Sequence, residues 1–378
     1  MDKFPKKNVL IVGAGLAGAT IARVLAEQNV RVTIVERRDH IAGNIYDFEN
    51  KDGERIHKYG PHLLHCNNNS IALKFLNRFT EWVEYEHKVR ALLKDGRTTP
   101  LPINQITLED IYNKKFKDEN EVKLFLESIR NKNIKPNNSD ELFESTVGNK
   151  LSDIFFRPYT KKMWGTDPTK LSIGIGARLP VRTNKDVRYF NDNFQALPKY
   201  GYTRMVEKML LHKNISIFLN TSFQKDMEKN FDQVFISMPI DKYFNYQYGV
   251  LPYRSIKFEH RLENINDQAA PVINFTDEKK YTRKTQWSLL PNSYHKNLNL
   301  KTISYEIPCS MELNPNEYYY PVNTKSSKLL YDKYKLLAKK RQKITFCGRT
   351  GLFRYIDMIP TVVLHLEIAK KYLSKLNM

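Results

Sequence analysis

The sequence predicts an α/β fold in which one parallel-sheet domain is interrupted twice. Three observations carry this. Residues 9–44, VLIVGAGLAGATIARVLAEQNVRVTIVERRDHIAGN, run as an apolar strand, three glycines, a helix-period stretch and a second strand. From about 71 to 162 the apolar spacing turns helical and glycines become rare. An αβ pattern then returns near 202–245 and again at 343–378, with strand-like, aromatic-rich runs between.

The opening unit has a mechanical reading. Gly13 allows a tight turn, Gly15 lets a pyrophosphate approach the backbone, and Gly18 lets the helix pack on the strand. The free N–H groups at the helix start suit an anion. Glu36 ends the second strand 18 residues beyond Gly18, near the spacing expected of a carboxylate that binds a ribose hydroxyl. This is a Rossmann-like dinucleotide site.

Bulk properties bound the rest. The 378 residues suffice for two or three domains. No apolar run approaches membrane-span length, so no stable membrane insertion is expected, and no apolar leader precedes the glycine motif. The three cysteines, Cys66, Cys309 and Cys347, are far apart, which suits a reducing, cytoplasmic setting. The net charge of +20 suggests an anionic partner. It is spread along the chain with short clusters such as Lys339-Lys340-Arg341, and no nucleic-acid-binding signature accompanies it, so nucleic acid is not the expected partner.

Along the chain, helices are expected at 71–82, 105–116, 119–131 and 140–156, with a polar loop at 131–140. A helix at 202–212 and strands at 215–219 and 233–238 return to the nucleotide domain. Strands follow at 255–262, 272–276 and 302–307. The resulting division is 1–75, 200–245 and 340–378 for a Rossmann-like domain, 76–165 for a helical domain, and 166–199 with 246–339 for a mixed or antiparallel β-sheet substrate domain. The ending, ITFCGRTGLFRYIDMIPTVV, is a strand, a turn at Gly348-Arg349 and a helix from about Pro360. Flavoproteins use such an ending to bring a helix N-terminus to the flavin, which favours FAD over NAD.

Two segments carry chemistry. In 57–65, HKYGPHLLH, the Gly-Pro turn presents His62 rigidly. A metal set of His57, His62 and His65 lacks a completing carboxylate, so no metal is expected. In 155–165, FFRPYTKKMWG, four aromatics and three cations suit a stacked base and a paired diphosphate. Arg178, Arg182 and Arg188 follow, and loop arginines can pair with phosphate oxygens. Gly174 and Gly176 just upstream suit a closing lid.

Here the chain resembles bacterial UDP-galactopyranose mutases, end to end. The resemblance rests on GAGLAG with Glu36-Arg37, on Gly43-Asn44, and on KYGPHLLH, FFRPYTKKMWG, RLPVR and RYFNDNFQALPKYGYT. It continues in Asn274, Tyr281-Thr282-Arg283, Tyr318-Tyr319-Tyr320-Pro321 and GRTGLFRYIDM. It implies FAD, active when reduced, whose N5 takes the anomeric carbon while the nucleoside diphosphate waits. His62 would lie beside the flavin at the sugar. Gly13, Gly15, Gly18, Glu36, Arg37, Gly43, Asn44, Arg349, Tyr355, Asp357 and Met358 would hold the cofactor. Phe155, Phe156 and Tyr159 would hold the uridine end, with Asn274 also on the substrate, and Trp164 would border the sugar. Arg178 and Arg283 would clamp the diphosphate with Tyr189, Tyr320 and Tyr355. The implied partner is a nucleoside-diphosphate sugar, and a homodimer is compatible with the family.

The chain departs from the family pattern at Gln286, where Glu is common, at Ile359, where Asp is common, and loosely at Leu101-Pro102-Ile103-Asn104. The sugar therefore stays open between UDP-galactose, dTDP-fucose and UDP-N-acetylgalactosamine, with His62 against the last. An FAD oxidoreductase and a non-catalytic nucleotide-sugar binder are the readings from other classes.

Overall fold

The protein is described by a computed structural model that covers residues 7–176, 180–294 and 300–376. Its centre is a five-stranded parallel sheet ordered Ile215–Phe218, Arg31–Val35, Asn8–Val12, Gln233–Ile236 and Ile344–Phe346. These strands come from three distant stretches of chain, as the broken αβ pattern predicts. The central strands are apolar on both sides because both faces are covered. Val9 and Ile11 face a core shared with the helices Leu16–Glu27, Gly201–Leu210 and Met358–Leu376. Leu10 and Val12 face the other core, which includes Tyr334 of the helix Lys325–Lys339.

That last helix corrects an expectation. The sequence pattern places residues 246–339 in the β-sheet domain, but Lys325–Lys339 lays its buried side on the parallel sheet. Its amphipathic spacing, not its neighbours in sequence, decides where it packs.

The helical region is also shorter than 76–165. The expected helix at 71–82 stops at Leu76, and Trp82–Glu84, Val89–Leu92 and Thr98–Leu101 are strands. Val89, Ala91 and Leu93 are buried alternately, a period-2 pattern that only a distant partner makes productive. That partner is Val272–Phe275, which pairs in parallel with Val89–Leu92. Helices run from 105: Gln105–Tyr112, Glu119–Ile129 and Ser139–Leu151, with side-chain caps from Asn104, Asp118 and Asn138. A wider π turn, Ser152–Phe156, leads into Arg157–Trp164, which ends at Gly165 in the left-handed conformation.

A seven-stranded mixed sheet stands over this region, ordered Tyr320–Pro321, Tyr253–Glu263, Lys301–Ser310, Arg283–Gln286, Val272–Phe275, Val89–Leu92 and Thr98–Leu101. A small antiparallel sheet joins Leu64–Cys66, Phe194–Pro198 and Trp82–Glu84.

Candidate active site

Two cavities meet. The smaller, of about 290 Å3, follows the carboxyl ends of the parallel strands, where such sheets bind ligands. It is lined by Gly13, Gly15, Glu36, Arg37, Gly43, Asn44, Gly348, Arg349 and Met358 among others. Gly13 and Gly43 both have positive φ, and a Cβ on Gly43 would sit 3.0 Å from the Gly15 Cα. Only glycine lets these two turns approach and leaves the groove open. The helix Leu16–Glu27 starts at Gly15 without a side-chain cap, so its first N–H groups remain available to an anion. Glu36 accepts the backbone N–H of Ala14 and of Arg38, both at 2.9 Å, and keeps further lone pairs for a hydroxyl. These features fit a dinucleotide. Gly18 does not line the groove. A Cβ there would lie 2.1 Å from the Gly13 carbonyl oxygen, so Gly18 serves helix–strand packing.

The larger cavity, of about 910 Å3, lies between the helical region and the mixed sheet. It is lined by Phe155, Phe156, Tyr159, Trp164, Tyr189, Asn274, Arg283, Tyr320, Tyr355 and Asp357. His62, Arg349 and Met358 line both cavities and so mark the seam between them. Tyr355 and Asp357, expected among the cofactor residues, line the larger cavity and not the groove. They follow the Gly348 turn by enough chain to pass over the seam. Arg178 lies outside the described residues, so its place in the site is untouched by this geometry.

Each wall has a local origin. The π turn Ser152–Phe156 carries Phe155 and Phe156, and the next helix carries Tyr159 and Trp164. Phe156 stacks on Phe143 at 4.7 Å. The cations of this segment do not face the cavity as expected. Arg157 pairs with Asp140 and Asp153, and Lys162 donates to the Phe275 and Tyr281 carbonyls and pairs with Asp277. Arg157 and Lys162 fasten the helix, Lys161 is exposed, and the four aromatics line the pocket with Thr160 and Met163. Arg182 likewise donates to the Phe190 carbonyl and Asn191, and Arg188 pairs with Asp186, so both hold their own loop.

The floor is a row across three strands. Asn274 is opposite Arg283, and Arg283 is opposite Glu306. Arg283 Nε lies 2.6 Å from Glu306 Oε2. Burial works against the Arg283 charge, but Glu306, with Tyr159 and Tyr320 behind it, outweighs burial, and the Arg283 pKa stands well above the ordinary arginine value. Burial raises the Glu306 carboxyl, with Arg283 pulling the other way. Asn274 Oδ1 is buried without a hydrogen-bond partner among the described residues, an acceptor that a ligand could use. Glu306 was missed in the sequence. Its only signal was to be the one acid in the strand Lys301–Ser310, between Tyr305 and Ile307.

At the seam, His62 Nδ1 lies 2.7 Å from the Gly60 carbonyl oxygen. A carbonyl only accepts, so Nδ1 carries the proton and Nε2 is an acceptor. Burial, with His57 next, lowers the His62 pKa to about 3, so the ring is neutral. The His62 backbone N–H donates to His57 Nδ1, which makes His57 a fastening of the turn. His65 Nδ1 donates to Asp192 at 2.7 Å. Arg349 donates to the Tyr319 and Ile356 carbonyls and lies over the Tyr355 and Tyr320 rings at 4.6 and 5.6 Å. Tyr320 in turn contacts Trp164 at 5.7 Å. Of the departures, Gln286 is fully buried and lines neither cavity, whereas Ile359 lines the larger one. Residues that sequence reasoning passed over include Arg38, Lys242 and Thr361 in the groove and His87 in the cavity.

A dinucleotide groove that opens into an aromatic pocket with an arginine paired to a buried carboxylate defines an enzyme that presents a bound cofactor to a nucleotide-like substrate. The profile of the family described as UDP-galactopyranose mutase matches residues 154–355, and that of an NAD(P)-binding Rossmann-like domain matches 11–79. A probable UDP-galactopyranose mutase of Klebsiella pneumoniae is 37% identical over 97% of this chain and 95% of its own. The dTDP-fucopyranose mutase of Escherichia coli is 35% identical over 97% and 98%. The UDP-galactopyranose mutase of Mycoplasma genitalium is 33% identical over 97% and 95%. The crystal structure of reduced UDP-galactopyranose mutase shares the fold, with a TM-score of 0.75 and 17% identity over 98% of this chain and 94% of that one. The chain belongs to the UDP-galactopyranose mutase family. It is an isomerase of nucleotide-sugar pyranose and furanose forms, and family and fold imply FAD.

Proposed function

We propose that the protein converts UDP-galactopyranose to UDP-galactofuranose with reduced FAD, in the cytoplasm. The observation that carries this reading is the meeting of groove and cavity at His62, Arg349 and Met358, with Arg283 beyond it, half-buried on the fully buried Glu306. Reduced FAD, when bound, supplies a nucleophilic nitrogen, which lets a reaction with no net redox change proceed. The residues do the rest. Phe155, Phe156 and Tyr159 take the base, with Asn274 Oδ1 accepting from the base or ribose. Arg283, kept cationic by Glu306, holds the diphosphate close while it is detached from the sugar. Tyr189, Tyr320 and Tyr355 add phenol donors, and Arg178 completes the clamp as in the family. Neutral His62 offers its Nε2 lone pair to a sugar hydroxyl at the seam. Tyr159, whose hydroxyl burial holds above the usual tyrosine value, stays a donor.

The 37% identity to the Klebsiella protein favours the uridine sugar, and the 35% identity to the dTDP-fucopyranose mutase supports that sugar as the second reading. The test is a dithionite-reduced assay with UDP-galactose, dTDP-fucose and UDP-N-acetylgalactosamine, resolved by chromatography. Furanose product from UDP-galactose at the highest kcat/KM is expected. Equal turnover by oxidised enzyme would sink the reduced-flavin reading, and turnover only with an electron acceptor would point to an oxidoreductase.

A further inference from the structure

One dense cluster of positive charge lies outside both cavities. Residues 325–343 hold eight lysines or arginines and one acid, Asp332, which leaves seven positive charges of the chain's net +20. Most of this stretch is the helix Lys325–Lys339. Its inner side is settled: Ser327 and Tyr334 are buried, and Leu330, Tyr331, Leu337 and Ala338 pack on the core. Its outer side is not an ordinary solvated face. Leu329 and Leu336 stand there, 61% and 60% exposed, one heptad apart. At about 100° per residue they form a single stripe with Lys333, flanked by Lys325, Lys339 and Lys340.

The stripe continues onto a neighbouring turn. The Tyr248 N–H donates to Tyr334 Oη at 3.0 Å, and Tyr334 Oη donates to the Gly249 carbonyl at 2.7 Å. Lys333 Nζ lies 6.0 Å from the Tyr248 ring. The turn is thereby fixed beside the helix with Tyr248 46% and Val250 69% exposed. Leucines, a valine and a tyrosine thus sit inside a field of lysines.

We propose that this face docks on the headgroup layer of an anionic lipid bilayer. Lysines pair with the headgroups while Leu329, Leu336, Val250 and Tyr248 enter the interfacial zone, the pattern of a surface-lying amphipathic helix. Tyrosine suits that zone because its ring is apolar and its tip is wet. Nucleic acid fits less well. It gives exposed leucines nothing to bury against, and the lone arginine of the stretch, Arg341, already pairs with Glu228. No helix among the described residues is long and apolar enough to cross a membrane, so the attachment is peripheral. The proposal rests on surface residues outside both cavities and stands apart from the choice of sugar.

The experiment is co-sedimentation of the FAD-loaded chain with vesicles of phosphatidylcholine, alone or with added phosphatidylglycerol, at low and high salt. Binding to the phosphatidylglycerol vesicles alone, weakened by salt, is expected. The double variant Leu329→Asp/Leu336→Asp should bind roughly 10-fold more weakly or worse, with an unchanged melting temperature and mutase rate. Val250→Asp, on the separate turn, should weaken binding in the same direction. Absence of binding to anionic vesicles would overturn the proposal. So would undiminished binding by the leucine variant, or duplex DNA held as tightly by wild type and variant alike, since either marks a surface for polyanions in general.

Discussion

Arg283 and Glu306 face each other across antiparallel strands, with Nε 2.6 Å from Oε2, and Asn274 continues the row on the other side of Arg283. One sheet register thus sets a cation and an amide acceptor, unpartnered among the described residues, side by side on the cavity floor. The cation is held in place by a carboxylate that is 1% exposed. Gly60, with φ +88°, lies over that carboxylate, and a Cβ there would come 3.1 Å from Glu306 Oε1. The GPH turn and the arginine therefore share one support.

The first prediction concerns this pair. Arg283→Ala removes the cation proposed to hold the diphosphate and should lower kcat/KM by roughly 30- to 1,000-fold. The flavin spectrum should stay normal, because Arg283 does not line the groove. Glu306→Gln leaves the arginine without its buried counter-ion, so protein stability should fall by a few kcal/mol, about 3, together with activity. Near-wild-type rates in Arg283→Ala would place the phosphates elsewhere.

Much of the cofactor groove was legible because its determinants are local. Gly13, Gly15 and Glu36 sit within 24 residues, and each acts through its own backbone or a neighbouring one. The cavity was less legible because it depends on register between distant strands. Nothing near Glu306 in the chain says that Arg283 will lie opposite. The same non-locality hid Val89–Leu92, whose alternation makes sense only beside Val272–Phe275. The basic residues of 155–165 misled for a simpler reason. Composition shows which cations are present, but only packing shows that Arg157 and Lys162 are already consumed by Asp140, Asp277 and backbone carbonyls.

A second prediction follows from the groove. The protein should purify yellow or accept FAD on reconstitution, with the flavin released on denaturation. Saturating FAD should raise the melting temperature of stripped protein by several degrees, since a ligand at about 100 times its Kd adds about 2.7 kcal/mol. Gly43→Val should abolish that shift, because Gly43 has φ +56° and a Cβ there would press to 3.0 Å from the Gly15 Cα, where the two turns close the groove. FAD binding by this variant at wild-type strength would place the cofactor elsewhere.

A third concerns acid. Burial lowers the pKa of His57, His62 and His87 from the usual 6.5 to about 3. The unfolded chain therefore binds three protons before the folded one does. The stability contributed by the neutral rings is complete above about 6.5 and is lost as pH falls from there toward 3. The slope in that window should reach at most about 4 kcal/mol per pH unit from these groups. His57→Gln should reduce their share by about a third, read from urea midpoints at pH 7 and pH 5. An unchanged midpoint between those values would show that the three rings are charged or exposed.

A fourth separates two of the three family departures, Gln286 and Ile359. Gln286 Nε2 donates to Asp267 at 2.6 Å and to Ser288 at 2.9 Å, away from both cavities. Gln286→Glu would set a carboxylate against Asp267, so it should lower the melting temperature while leaving kcat/KM for every sugar nearly unchanged. Ile359 behaves in the opposite way. It follows Met358, which lines both cavities, and it contributes apolar surface to the larger one beside the seam. An apolar wall there tolerates a methyl-bearing sugar as readily as one with a hydroxymethyl group. Ile359→Asp supplies a hydrogen-bond acceptor that only the hydroxyl can use, and it desolvates poorly against a methyl. The ratio of kcat/KM for UDP-galactose over dTDP-fucose should therefore rise by roughly 10-fold, with little change in melting temperature. A ratio that does not move would mean that the sugar never reaches this wall, and the assignment of the seam as the sugar end would have to be withdrawn.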